Sequence, residues 1–71
     1  QRQQEYKIIC HIEKAEKLAW MEVIDCKHDR QSMVRSETIA MTKSGYPVKK
    51  MQQAAQTLRE YMNEQGWREA K

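Results

Sequence analysis

The stretch Tyr6-Lys7-Ile8-Ile9-Cys10-His11-Ile12-Glu13-Lys14-Ala15-Glu16-Lys17-Leu18-Ala19-Trp20-Met21-Glu22-Val23-Ile24-Asp25-Cys26 decides the fold, because it reads in two ways. Read as strands, Tyr6, Ile8, Cys10 and Ile12 alternate with Lys7, Ile9 and His11, which gives one better-buried face. Residues 18–26 carry apolar side chains on both faces, as a central strand does. Read as a helix, Ile8, Ile12, Ala15, Ala19, Val23 and Cys26 form a stripe, and residues 13–17 are rich in helix formers. No Gly, Asn or Pro marks a tight turn between the two halves, which counts against a two-residue hairpin. The strand reading is favoured by burial. A helix through 18–26 leaves Trp20 and Ile24 on a second, exposed side. A meander in the simplest register instead gathers Tyr6, Ile8, Cys10, Ile12, Leu18, Trp20, Ile24, Ile39 and Met41 on one face, although it sets Glu22 against Glu37.

The last third is unambiguous. Val48, Met51, Ala54, Ala55, Leu58, Tyr61 and Met62 recur at three and four residues, with Lys49, Gln52, Gln53, Gln56, Arg59, Glu60 and Asn63 between them. Pro47 suits the first turn, and Gly66 suits the left-handed position that ends a helix. With Gly66 there, Met62 and Trp67 occupy the two positions of a Schellman clasp. Residues 31–41, with Met33, Val34, Thr38, Ile39 and Met41 among Arg35, Ser36 and Glu37, have poor helical periodicity and read as a third strand. The expected fold is therefore α+β: a three-stranded antiparallel β-meander followed by one C-terminal α-helix over 48–65, packed on one face. The alternative is an all-α three-helix bundle. Residues 1–71 are expected to form a single small domain, with 1–5 flexible.

Composition bounds the function. The chain has 71 residues, 39% hydrophobic and 32% charged, with five Met, two Trp, three Tyr and no Phe. A domain of about 60 residues buries only about 60% of its unfolded surface, so a small chain gains margin from a staple or a partner. Met fills irregular contacts and adapts to partners, or simply replaces Leu and Phe in the core. The formal net charge of +3 is a mild attraction for polyanions, well short of a basic tail. There is no apolar run long enough to span a membrane and no apolar segment near residue 1 that would direct export. With two cysteines rather than a framework of four or more, Cys10 and Cys26 are expected as reduced, mostly buried thiols in the cytoplasm.

Catalysis is not expected. Cys10, His11, Cys26 and His28 lack the paired spacings of zinc sites, and on a strand Cys10 and His11 point to opposite faces. Cys26 and His28 have no accompanying oxyanion loop, and Ser44-Gly45-Tyr46-Pro47 holds one glycine where a phosphate cradle needs several. Acidic pairs such as Glu13/Glu16 and Glu60/Glu64 read as solvated charges. No catalytic residue, metal or cofactor is assigned.

Two binding surfaces stand out. The sheet face away from the helix, in the simplest register, shows Ile9, Met21, Val23 and Val34 among polar residues, too apolar for a purely solvated face. Lys43, Lys49 and Lys50 crowd a helix N-terminus, where an anion would relieve their repulsion from the dipole. The first surface points to a protein-interaction or homo-oligomeric accessory domain, its partner itself or another protein. The second, with Arg30 and Arg35, points to the alternative of a DNA-binding module in which Arg35 reaches a base edge. Glu22, Asp25 and Glu37 oppose that alternative by repelling phosphates. The Lys49-Lys50 pair followed by Ala54-Ala55 and Leu58 resembles the last helix of double-stranded-RNA-binding domains. The helix that precedes the three strands of that family has no counterpart here, and no function is carried over.

Overall fold

Residues 6–26 fold as a β-hairpin. In the computed structural model, which describes residues 4–28 and 32–70, β1 (Glu5–Glu13) runs antiparallel to β2 (Leu18–Asp25). The connecting Lys14-Ala15-Glu16-Lys17 turns without glycine. Lys17 takes the left-handed conformation, φ 56°, and its N–H donates to the Lys14 carbonyl at 3.2 Å. β3 (Ser32–Arg35) and β4 (Ile39–Ala40) then pair in succession with the far edge of β2. The helix α1 (Val48–Glu64) follows, and β5 (Arg68–Glu69) returns to lie parallel to β1 at Glu5 and Tyr6. The protein is α+β, a mixed sheet of several strands carrying one C-terminal helix, and not a helical bundle.

Three details depart from the simple meander. The expected third strand is split, because 36–38 leave the ladder between β3 and β4. A parallel strand, β5, is added after the helix. Gln4 and Glu5, expected to be flexible, are held: the Gln4 carbonyl accepts the Arg68 N–H at 2.9 Å, and Glu5 lies in β1. Residues 1–3 of that expectation lie outside the described residues.

The register of the hairpin corrects the assignment of faces. Tyr6 stands opposite Asp25, Ile8 opposite Val23, Cys10 opposite Met21 and Ile12 opposite Ala19. This is one residue away from the simplest register, and a one-residue slip turns every side chain of a strand over. Met21 and Val23 therefore face the helix, and Trp20 and Ile24 face away from it. The four-residue connection fixes this offset. It also leaves the Trp20 indole N–H in reach of a partner on the open face, where the buried alternative would have to find one inside an apolar core.

The core sits between sheet and helix. Tyr6, Met21 and Val23 from the sheet meet Ala55, Leu58 and Met62 from α1, with Ile8, Val34, Met51 and Trp67 packed around them. Burying each large apolar side chain contributes about 1.5–3 kcal/mol. α1 presents this face through the three- and four-residue spacing of its apolar positions. It ends as its sequence predicts: Gly66 is left-handed at φ 89°, its N–H donates to Asn63, and the Trp67 N–H donates to Met62 at 3.0 Å.

Candidate functional site

Of the interface residues that the sequence suggests, Met21 and Val23 are core residues, 6% and 0% exposed. Val34 stands opposite Val23 and packs against the same core. These three are removed from the open face by the register. Ile9 keeps its expected place there, half-buried and opposite Glu22.

The open face holds a stacked polar cluster instead. The His11 ring lies against Trp20, with centroids 5.4 Å apart and planes 14° from parallel. The Arg35 guanidinium sits 4.4 Å from the Trp20 ring centroid and donates to Thr38 Oγ1 at 3.1 Å. Between them lies Glu22, whose Oε1 accepts the Trp20 indole N–H at 2.8 Å. His11 Nε2 is 3.4 Å from the same oxygen but outside hydrogen-bond geometry, and this buried nitrogen has no hydrogen-bond partner among the described residues. The carboxyl of Glu22 is held below its ordinary value by the Trp20 hydrogen bond, then by Ser32, with the His11 and Arg35 charges adding to both. The indole, imidazole and guanidinium thus serve one carboxylate. The cluster covers the middle of the face, with His11 Nε2 left unsatisfied among the described residues.

Of the anion-binding candidates, Arg35 and Lys50 line one groove, whereas Lys43 and Lys49 do not line it. Arg35 is also engaged by Trp20 on the open face. Lys43 lies in the 42–45 turn, closed by hydrogen bonds between the Thr42 and Gly45 backbones. Arg30 lies outside the described residues. A groove of about 690 Å³ between α1 and the β3–β4 segment brings Lys50 beside Arg35, Thr38, Gln53 and Thr57, with Glu37 at its wall.

The feature that pattern reading missed lies along β1. Its outer edge is covered by β5 only at Glu5 and Tyr6. The Gln4 and Tyr6 carbonyls accept hydrogen bonds from Arg68 and Ala70 on that edge, while the Glu5 carbonyl accepts from Cys26 on the β2 side. Alternation along the strand then turns the N–H and C=O of Ile8, Cys10 and Ile12 outward, where no described strand pairs with them. Beside this edge, on the helix side, Cys10, Ile12, Tyr46, Val48 and Met51 wall an apolar hollow of about 350 Å³. Ile12, Tyr46 and Val48 are 42%, 50% and 57% exposed. Cys10, expected to be mostly buried, is exposed here, and both cysteines are free thiols. The signal was present in the sequence. Residues 8–12 contain no Lys, Asp, Glu, Pro or Gly, the usual guards of an edge.

No helix among the described residues is long and apolar enough to cross a membrane. Cys10 and His11 lie on opposite faces of β1, and no group of three or more metal-ligating side chains forms among the described residues. Comparison of the chain with protein-family models, with curated proteins and with solved structures finds no match to any of them.

Proposed function

We propose that this domain is a non-catalytic protein-interaction module that takes up an extended polypeptide strand on the outer edge of β1. One observation carries the reading: three alternate residues, Ile8, Cys10 and Ile12, turn their backbone groups to an edge that no described strand covers there and no charged side chain within 8–12 guards, directly beside an apolar hollow. Strand addition uses those two components together. The backbone ladder supplies affinity, and the hollow receives alternate side chains of the incoming strand. The surface is also economical for a chain with a shallow core, since a partner strand extends the sheet without rearranging it.

The test is selection of short extended peptides on the immobilised domain. Selected peptides should slow amide exchange at Ile8, Cys10 and Ile12, and Ile12→Lys or Val48→Lys should abolish their binding while the domain stays folded. Peptides that perturb Trp20 and leave the β1 amides unchanged would sink the reading.

A second reading, nucleic-acid binding, is favoured by the Arg35–Trp20–His11 stack, which joins a cation to aromatic rings on a helix-free sheet face. The central Glu22 and the separation of the lysines weigh against it. A duplex titration separates the readings: phosphate-driven binding weakens steeply with salt, whereas strand addition does not.

A further inference from the structure

We infer that the groove between α1 and residues 35–40 is a second binding site, separate from the β1 edge, and that it takes a short zwitterionic peptide by that peptide's two charged ends. The groove follows from two features of the chain. Lys50, Gln53, Ala54, Thr57 and Leu58 recur at i, i+3, i+4, i+7 and i+8, which places them on one face of α1. Opposite them, residues 36–38 leave the ladder between β3 and β4, so the sheet does not close against that helix face. The space is about 690 Å³, within the usual range of about 300–1,000 Å³ for ligand sites, and it has room for a peptide of a few residues. Ala54 is small and Leu58 is buried, so with Ile39 they form an apolar floor.

The charges choose the ligand. Lys50 and Glu37 line the same groove, yet neither forms an ion pair among the described residues, with the other or with a third side chain. Two opposite charges that share a groove without meeting are complementary to a molecule that carries both. Arg35 adds a second cation. Its guanidinium lies on the Trp20 ring and donates to Thr38 Oγ1 at 3.1 Å, which fixes it beside a residue of the groove. That bond uses one N–H of a planar fork whose remaining donors suit a carboxylate. A peptide's carboxylate therefore goes to Lys50 and Arg35, its ammonium to Glu37, and an apolar side chain to the floor. A plain organic anion would meet Glu37 with the wrong sign, and a plain cation would meet Lys50 and Arg35. The peptide link also finds donors, because the N–H groups of Glu37 and Thr38 lie outside the ladder and have no backbone partner among the described residues. No residue of this groove lines the hollow beside β1, so the two sites stand or fall separately.

The experiment is a titration of the isotope-labelled full chain with leucyl-leucine, read by amide chemical shifts, beside the same peptide N-acetylated, C-amidated or blocked at both ends. The expected result is saturable shifts at Thr38, Gln53, Ala54 and Thr57, with Ile8, Cys10 and Ile12 unmoved. Blocking either end should weaken binding about fivefold, the scale of a solvent-exposed ion pair. Lys50→Gln should shrink the preference for a free carboxylate and keep that for a free ammonium, and Glu37→Gln should do the reverse. Both positions are exposed, so the variants should fold, and the dispersion of their amide spectra verifies this. Thr57→Trp should fill the groove and abolish the shifts. Equal binding of the free and doubly blocked peptides would overturn the charge assignment. An N-acetylated peptide that binds as tightly as the free one would overturn the zwitterion and leave a site for simple carboxylates. Shifts confined to Ile8, Cys10 and Ile12 would overturn the groove and leave strand addition standing. A groove that stays unshifted at millimolar peptide would overturn the site, whatever peptides the β1 edge selects.

Discussion

Ser36 is bonded to Met21 twice: its backbone N–H donates to the Met21 carbonyl at 2.9 Å, and its Oγ accepts the Met21 N–H at 2.9 Å. The pair sits where the ladder between β2 and the third strand breaks, after Arg35 and before Ile39. The Ser36 hydroxyl replaces the backbone acceptor that an unbroken strand would have supplied. It also donates to the Glu37 carbonyl at 3.1 Å, which fixes the chain as it leaves the sheet.

Ser36→Ala should therefore cost about 1–3 kcal/mol, the penalty of leaving the N–H of a buried residue without its acceptor. Urea unfolding of the two proteins at one pH measures it. A change below about 0.5 kcal/mol, the usual scale for an uninvolved surface position, would show that Met21 N–H finds another partner.

Met21 decides between the two registers of the hairpin. At 6% exposed and packed among core residues, it has no space or partner for a carboxylate. Met21→Glu should remove most of the stability, because an unpaired buried charge costs more than a marginal domain can spare. Loss of the circular dichroism signal of α1 at 25 °C is the expected outcome. A folded Met21→Glu protein would return Met21 to the open face.

Much of this architecture was legible. The helix, its Schellman ending and the strand character of 6–26 were legible from spacing, Gly66 and the alternation of 6–12, whereas the burial expected of Trp20 was overturned. The facing of β2 was not legible, because Leu18-Ala19-Trp20-Met21-Glu22-Val23-Ile24 carries apolar side chains on both sides and alternation gives no sign. The turn that sets the register contains no glycine to announce its left-handed residue. β5 escaped for another reason: two residues after a helix cap have no period, and their pairing with β1 is decided by where α1 delivers them. The candidate edge could have been read from the unguarded 8–12, but only once β1 was known to lie beside nothing longer than β5.

Acid should weaken the domain in part through Glu22. Its carboxyl sits below the ordinary value of 4.5, chiefly because the Trp20 indole N–H donates to it, so the folded state binds a proton less readily than the unfolded chain. A depressed carboxylate contributes stability above its unfolded value and loses it as pH falls through the folded one. Asp25 acts in the same direction, held down by His28 and by the Lys27 N–H. Stability should accordingly fall from about pH 4.5 downward. Glu22→Gln should lose less between pH 7 and pH 3 than the parent. Equal losses in urea melts at the two pH values would remove Glu22 from the account.

Gly66 and Lys17 both hold left-handed backbone, and they should respond to substitution with opposite signs. Gly66, φ 89°, closes the helix, and a methyl group added there would meet nothing within 4 Å. The cost of Gly66→Ala is then conformational alone, about 1 kcal/mol, because a Cβ is disfavoured in this region whatever the surrounding space. Lys17, φ 56°, adopts a comparable conformation with a Cβ already present. Lys17→Gly relieves that strain and gives back part of the gain as unfolded-state entropy, so a net increase of up to about 1 kcal/mol is expected. The double variant should fall near the parent, since the two sites lie in separate turns. Denaturation midpoints at unchanged slope measure all three proteins. Should Lys17→Gly destabilise the hairpin instead, the turn at 14–17 owes its shape to the lysine side chain and the purely conformational account of the register would fail.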